Sequence, residues 1–232
     1  MKATLRKFAT AAELNDEFAP EIAAKLQAGI EQNGRASLLV SGGSTPRPMF
    51  DKLSQIDIAW DKVDIALVDD RWVALDDAAS NEKMANEALL INKAAKANFV
   101  GMKTESTDAF AAVEAVTAKL SNIAQPFDVV ILGMGEDGHT ASIFPCCAQL
   151  DEALTTSAPI MATEPTTAPH QRMTWTKSAL LNSKQLYLHL VGESKEAVLN
   201  QVIETGDVKL APICAFLNQS DVPMSVMLAT SK

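Results

Sequence analysis

Three short runs of this chain are almost wholly apolar, and each ends abruptly in a polar loop. They are ASLLV (36–40), VDIALV (63–68) and FDVVIL (127–132). A strand with one solvated face alternates apolar and polar residues; a continuous run of this length predicts a strand buried on both faces. Stretches with helical signals separate these runs. Thr10 with Glu13 forms a capping-box pattern ahead of an amphipathic stretch reaching Gln32, in which Pro20 is expected to break or restart the helix. A helix is expected near 46–55. Ser80 is placed to cap NEKMANEALLIN and Asp108 to cap a helix whose inward face would hold Phe110, Val113 and Leu120. QLYLHLV (185–191) reads as a later strand. ESKEAVLNQVI (193–203) reads as a helix with Val198, Leu199 and Val202 inward. TTSAPIMATEPTTAPHQ (155–171) reads as loop around a short strand. Alternation of strand and helix implies an α/β fold: a doubly wound, mostly parallel central sheet with helices on both faces.

In such sheets ligands bind beyond the carboxyl ends of the strands. That directs attention to SGGSTP (41–46), DDRW (69–72) and GMGEDGH (133–139), each of which follows a buried run. Composition narrows the ligand. The 232 residues carry a formal charge of −9, without a Lys/Arg cluster, which argues against nucleic acid. An anionic ligand would need a few local cations and backbone amides working against that field. No apolar run approaches the ~20 residues of a membrane span, and MKATLRKFATAAEL lacks a secretion-signal core. Cys146, Cys147 and Cys214 show no metal-ligand spacing. The expectation is one domain over 1–232, cytoplasmic and reduced, with no structural metal, no nucleic-acid partner and no membrane partner.

SGGSTP lets the backbone approach an anion at a helix start, where Ser41, Gly42, Gly43, Ser44 and Thr45 would supply amides and hydroxyls. The competing reading is an ordinary turn with Thr45 as N-cap. It is not a Walker A loop, since no G-K-[ST] follows. Gly133, Gly135 and Gly138 spell G-x-G-x-x-G. A dinucleotide loop needs its helix start free of acids, yet Glu136 and Asp137 occupy it and Pro145 cuts off any following helix. The loop instead presents Asp137 and His139, an orienting carboxylate and a titratable base. Arg71 is a candidate anion grip or a structural partner of Asp69 or Asp70. Lys195, a cation in the first turn of a helix, opposes the dipole unless an anion binds nearby; otherwise it pairs with Glu193 or Glu196. His170 and His189 read as structural or surface residues.

LLVSGGSTPRPMFDKL, VDDRWV, SNEKMAN, FDVVILGMGEDGHTASIFP, and RMTWT followed by VGESKEAVL resemble the 6-phosphogluconolactonase family, in this order, from about 37 to 203. The wider superfamily includes glucosamine-6-phosphate deaminase. The resemblance implies a Rossmann-like α/β fold, hydrolysis of a phosphorylated sugar lactone in the oxidative pentose phosphate pathway, and no metal or organic cofactor. It implies His139 as general base, tuned by Asp137, with amides of the Gly133–Gly138 loop as candidate oxyanion donors. SGGST, Arg172 and Lys195 would hold the phosphate, Arg71 would act in the active site, and Asp69 and Gly135 would join the substrate-binding set. A deaminase would want a carboxylate base such as Asp69 and an acid soon after D-G-H, whereas ASIFPCC supplies none before Asp151. A non-catalytic sugar-phosphate sensor would keep the phosphate ligands without needing His139. The expected assembly is a monomer or small homo-oligomer.

Overall fold

The computed structural model describes residues 1–231. Two sheets organise it. The larger has seven parallel strands: β1 (Thr4–Thr10), β2 (Ala36–Val40), β3 (Val63–Leu67), β5 (Asn98–Val100), β6 (Val129–Leu132), β9 (Leu186–Val191) and β10 (Met224–Ser231). Their order is β1-β10-β9-β6-β2-β3-β5, and every neighbouring pair is parallel. The smaller is antiparallel, β4 (Asp69–Arg71), β8 (Arg172–Trp175) and β7 (Ile160–Thr163) in the order β4-β8-β7. Every residue of β2, β3 and β6 is buried. Both faces are therefore covered, as their continuous apolar runs require.

Strand order explains how both faces are covered. From β1 the chain moves across the sheet to β2, then to β3 and β5; it then returns to β6 and runs the other way to β9 and β10. Right-handed crossovers in opposite directions place their helices on opposite faces. So α1 (Ala11–Asn33), α2 (Arg47–Ser54) and α3 (Asn81–Ala88) share one face. α4 (Ala109–Leu120) and α7 (Glu193–Thr205) take the other, with α5 (Leu150–Thr155), α6 (Lys177–Leu181) and α8 (Cys214–Leu217) in the connections there. The direction reverses between β2 and β6, which is the switch point where such folds bind ligands.

Several local expectations hold. Glu13 N–H donates to Thr10 Oγ1 at 3.1 Å, Lys83 N–H to Ser80 Oγ at 3.1 Å, and Phe110 N–H to Asp108 Oδ1 at 3.1 Å, so all three caps form. Others need correction. Pro20 lies within an unbroken α1. It is exposed, so the carbonyl it leaves without a donor faces water and the helix continues. The buried stripe of α4 is Ala109, Ala112, Val116 and Leu120, while Phe110 faces solvent. Asp69 to Arg71 form a strand, because Asp69, Asp70 and Arg71 pair with Thr174, Met173 and Arg172 of β8. Trp175 pins that small sheet to the large one, donating from Nε1 to the Leu67 carbonyl at 3.0 Å. Among the described residues no helix is long and apolar enough to cross a membrane.

Candidate active site

The loops after β2 and β6 meet beyond the switch point and line a cavity of about 270 Å³. Ser41 to Pro46, Asp69, Arg71, Gly133 to Gly135, His139, Arg172 and Lys195 all reach it. The topology thus gathers residues up to 154 positions apart in sequence (41 to 195).

The β2 loop leaves its backbone donors open. α2 begins at Arg47 with Pro46 as its N-cap and no side-chain cap. Thr45 does not cap the helix, contrary to the N-cap expected of it in the turn reading. The backbone N–H groups of Gly42, Gly43, Ser44 and Thr45 have no backbone acceptor among the described residues. Open amides at a helix start favour negative charge. Ser41 is committed elsewhere. Its hydroxyl donates to the Ile131 carbonyl at 2.9 Å and accepts from Gly133 N–H at 3.2 Å, which locks the two loops together. Gly42 is required by close approach: an added Cβ would lie 1.9 Å from Asn81 Oδ1.

Cations converge from two further elements. Arg71 and Arg172 sit directly opposite each other on β4 and β8. Side chains at directly opposed positions share a face, and like charges there are destabilising unless an anion lies between or beside them. Arg71 is held by the Ala79 carbonyl at 2.7 Å rather than by Asp69 or Asp70. Arg172 is buried, bonds the Pro169 carbonyl at 3.1 Å, and leaves Nε without a partner. Burial holds its pKa below the ordinary arginine value against the opposing pull of Asp69, and Arg71 adds to the depression. Lys195 donates to the Met134 carbonyl at 3.0 Å and pairs with Glu136 at 2.6 Å. Its partner is neither Glu193 nor Glu196. Glu136 is mostly exposed, and exposed ion pairs contribute little, so Lys195 is available to an incoming anion.

The β6 loop works differently. His139 Nδ1 lies 2.5 Å from Asp137 Oδ1, and His139 N–H donates to the same oxygen at 3.1 Å. Burial alone would raise the Asp137 pKa, but hydrogen bonding and charge from His139 outweigh it and hold the carboxyl below its ordinary value. With Nδ1 occupied, Nε2 is the nitrogen left for chemistry. Of the Gly133–Gly138 amides, expected to stabilise an oxyanion, the three glycine N–H groups are engaged, whereas those of Met134, Glu136 and Asp137 have no acceptor among the described residues. Gly135 N–H donates to the His139 carbonyl at 2.9 Å and Gly138 N–H to the Gly135 carbonyl at 3.1 Å. Gly133 N–H is held by Ser41, so the glycine donors fix the loop's own turn and its seat against the β2 loop.

Two residues that sit in the quoted motifs, with no role expected of them from the sequence, support the site. Asn81 donates from Nδ2 to the Asp69 carbonyl at 2.9 Å and from its own N–H to Asp70 Oδ1 at 2.7 Å, and it lines the cavity. Ser142 Oγ donates to Asp69 Oδ2 at 2.5 Å, fixing that carboxylate. Asp70 is pushed up to about 7, by burial first and by Asp69, against backbone hydrogen bonds from Asn81, Arg71 and Glu82. His189 is a buried wall of the cavity rather than a surface residue, and neither ring nitrogen has a partner. His170 is exposed, while Cys146 and Cys147 lie outside the cavity lining.

An uncapped helix start with open amides and a carboxylate-tethered histidine at the switch point of a doubly wound sheet mark the chain as an α/β enzyme. The chain belongs to the family of glucosamine-6-phosphate isomerases and 6-phosphogluconolactonases, whose model matches residues 9–224. It is 38% identical to the 6-phosphogluconolactonase of Rhizobium meliloti (strain 1021), covering 99% of this chain and 100% of that one. It is 39% identical to that of Neisseria meningitidis serogroup A, covering 96% and 97% respectively. A solved 6-phosphogluconolactonase structure from Shewanella baltica OS155 superposes with a TM-score of 0.96 at 49% identity, over 98% of this chain and 97% of that one.

Proposed function

We propose that this protein hydrolyses 6-phospho-D-glucono-1,5-lactone to 6-phospho-D-gluconate, the lactone step of the oxidative pentose phosphate pathway. One observation carries the reading. Two directly opposed guanidinium groups, Arg71 and Arg172, share a cavity with a histidine whose Nδ1 is tied to Asp137. Opposed cations call for an anion, and a tethered imidazole is suited to moving a proton.

In this mechanism the open amides of Gly42 to Thr45, with Arg172 and Lys195, hold the phosphate. Remote binding energy then positions the lactone carbonyl. His139 Nε2 takes a proton from water, and the hydroxide attacks the carbonyl carbon. Negative charge develops on the carbonyl oxygen. Arg71, the remaining Asn81 Nδ2 proton and the open β6-loop amides, Met134 foremost because it lines the cavity, are assigned to that charge. The tetrahedral species collapses, the ring C–O bond breaks, and the His139 imidazolium returns its proton to the leaving ring oxygen. Asp137 favours the imidazolium that forms between the two transfers. No metal or organic cofactor takes part in this sequence. The acting unit is the whole chain, 1–232, a cytoplasmic enzyme working as a monomer or small homo-oligomer, with a phosphorylated sugar lactone as its small-molecule partner.

The deaminase reading wants a free carboxylate base. Asp69 is the candidate, but its Oδ2 accepts from Ser142, and the next acid after His139, Asp151, pairs with Lys209 on the surface. The deciding measurement is acid release from freshly generated 6-phosphogluconolactone above its spontaneous rate, for wild type and His139→Ala. Wild-type acceleration that the variant loses, with 6-phosphogluconate still bound, supports the reading. Absence of wild-type acceleration removes it, and glucosamine-6-phosphate turnover is then tested. Tight 6-phosphogluconate binding without turnover would identify a sensor.

A further inference from the structure

The turn that follows His139 is built at a conformational cost. Ala141 adopts φ +49°, a left-handed conformation that costs a non-glycine residue on the order of 1 kcal/mol. Its neighbours hold it there. Ile143 N–H donates to the Thr140 carbonyl at 3.0 Å, Thr140 Oγ1 to the Gly133 carbonyl at 2.8 Å, and Thr163 Oγ1 to the Ser142 carbonyl at 2.9 Å. The result is a chain reversal that brings Phe144 back onto His139. The two rings stack with centroids 3.9 Å apart and planes 24° from parallel. Phe144 is only 3% exposed, so it is fixed by packing and offers no face to solvent. The guanidinium carbon of Arg172 lies over the same ring, 5.5 Å from its centroid. Gly135 crowds the Nδ1 edge of the imidazole, where an added Cβ would come within 2.1 Å of Nδ1.

Asp137 alone does not orient the base. The hydrogen bond sets the Oδ1···Nδ1 distance, but both side chains are partly exposed and can turn together about their χ torsions, carrying Nε2 out of reach of a bound water. A flat partner against the ring removes that freedom. Offset stacking of aromatic rings is worth ~0.5–1.5 kcal/mol beyond area burial, enough to select one ring plane from several.

We propose that Phe144 is the positioning residue of the reaction: it sets the plane of His139 and, through the same ring, seats Arg172, so that phosphate grip and proton transfer share one rigid support. The inference rests on the reading of His139 as general base. Wild-type lactone hydrolysis and its loss in His139→Ala test that reading separately, and the Phe144 variants are measured only against it.

Phe144→Leu keeps an apolar side chain and removes the flat surface. Its kcat is expected to fall on the order of 10- to 100-fold, with a smaller rise in KM. Phe144→Tyr, which keeps the ring, should recover most of kcat. In a His139→Ala background, Phe144→Leu should cost less than about twofold further, because the base it positions is gone. A purely structural role predicts the same fractional loss in both backgrounds and no rescue by Tyr. Either equal losses, or full kcat in Phe144→Leu, would overturn the proposal. Should Phe144→Leu fail to fold, the wild type still decides. The His139 ring protons, assigned by their disappearance in His139→Ala, should resonate upfield of free imidazole through the ring current of Phe144. Resonances at the free-imidazole positions would show that the stack is absent and the proposal wrong.

Discussion

The loops after β2 and β6 flank one switch point and both rely on glycine, yet they use their backbone donors in opposite ways. In the β2 loop the amides of Gly42 to Thr45 stay open and the helix start goes uncapped. In the β6 loop the three glycine amides and His139 N–H are committed, Gly133 across to Ser41 of the other loop and the rest within the loop. The first loop leaves four consecutive amides open; the second ties down its glycines. Binding an anion needs donors held in reserve. Aligning a proton-transfer group needs a backbone that cannot move. The two loops should therefore fail differently when perturbed, the first in KM and the second in kcat.

The sharpest way to break that contrast is His139→Ala. It should lower kcat on the order of 10²- to 10⁴-fold, the range expected for a lost general base. Calorimetry with 6-phosphogluconate should show binding little changed; lost binding would mean that the two loops are not separable. Next comes a matched pair of glycine substitutions. Gly135→Ala drives a Cβ to 2.1 Å from His139 Nδ1. It should reduce kcat about 100-fold, the scale of a 1 Å misplacement. Gly42→Ala meets Asn81 Oδ1 at 1.9 Å and displaces the open amides. Its effect should be mainly a higher KM, and steady-state kinetics on both variants would expose any reversal. Arg172→Leu removes a buried cation facing Arg71. KM for the phosphorylated lactone should rise roughly tenfold, about 1.4 kcal/mol, while hydrolysis of an unphosphorylated gluconolactone changes little. A parallel loss on both substrates would take Arg172 out of the phosphate site.

A smaller effect concerns stability rather than turnover. Asp70 is raised from 3.8 to about 7 in the fold. The stability it contributes is full below 3.8 and is lost as pH rises through about 7. His189 is lowered by burial from 6.5 to about 4. Its contribution has the opposite sign, present above 6.5 and lost as pH falls through about 4. Urea unfolding across this window should separate them. Relative to wild type, Asp70→Asn becomes more stable as pH rises from 4 to 7, and His189→Leu becomes less stable. Parallel pH curves for all three proteins would mean that neither group titrates as its burial requires. Smallest of all, Thr45→Ala should shift stability by under about 0.5 kcal/mol, because Thr45 caps nothing. Ser80→Ala, which removes a formed cap, should cost about 1 kcal/mol.

Much of this molecule was legible in one dimension. The apolar runs of β2, β3 and β6 predicted buried parallel strands, since only strands covered on both faces need no polar alternation. Caps at Thr10, Ser80 and Asp108 were readable because a cap is a contact between residues two or three apart. The Asp137–His139 pair was readable for the same reason. The edge strands β1 and β5, and β10 beside β1, were not foreseen, because their short or mixed runs gain strand character only from neighbours. DDR was expected as loop and became a strand through pairing with β8, about a hundred residues later.

By itself, then, the sequence determined the layer architecture, the helix starts and the residues available for chemistry. All of these follow from periodicity and local hydrogen bonding. Only the tertiary structure decided which of those residues meet. It set Arg71 opposite Arg172, gave Lys195 to Glu136 rather than to its helix neighbours, engaged the glycine amides of the β6 loop and laid Phe144 on His139. Each of these depends on chain segments closing in space, and strand order and turn geometry, not local preference, fix where they close.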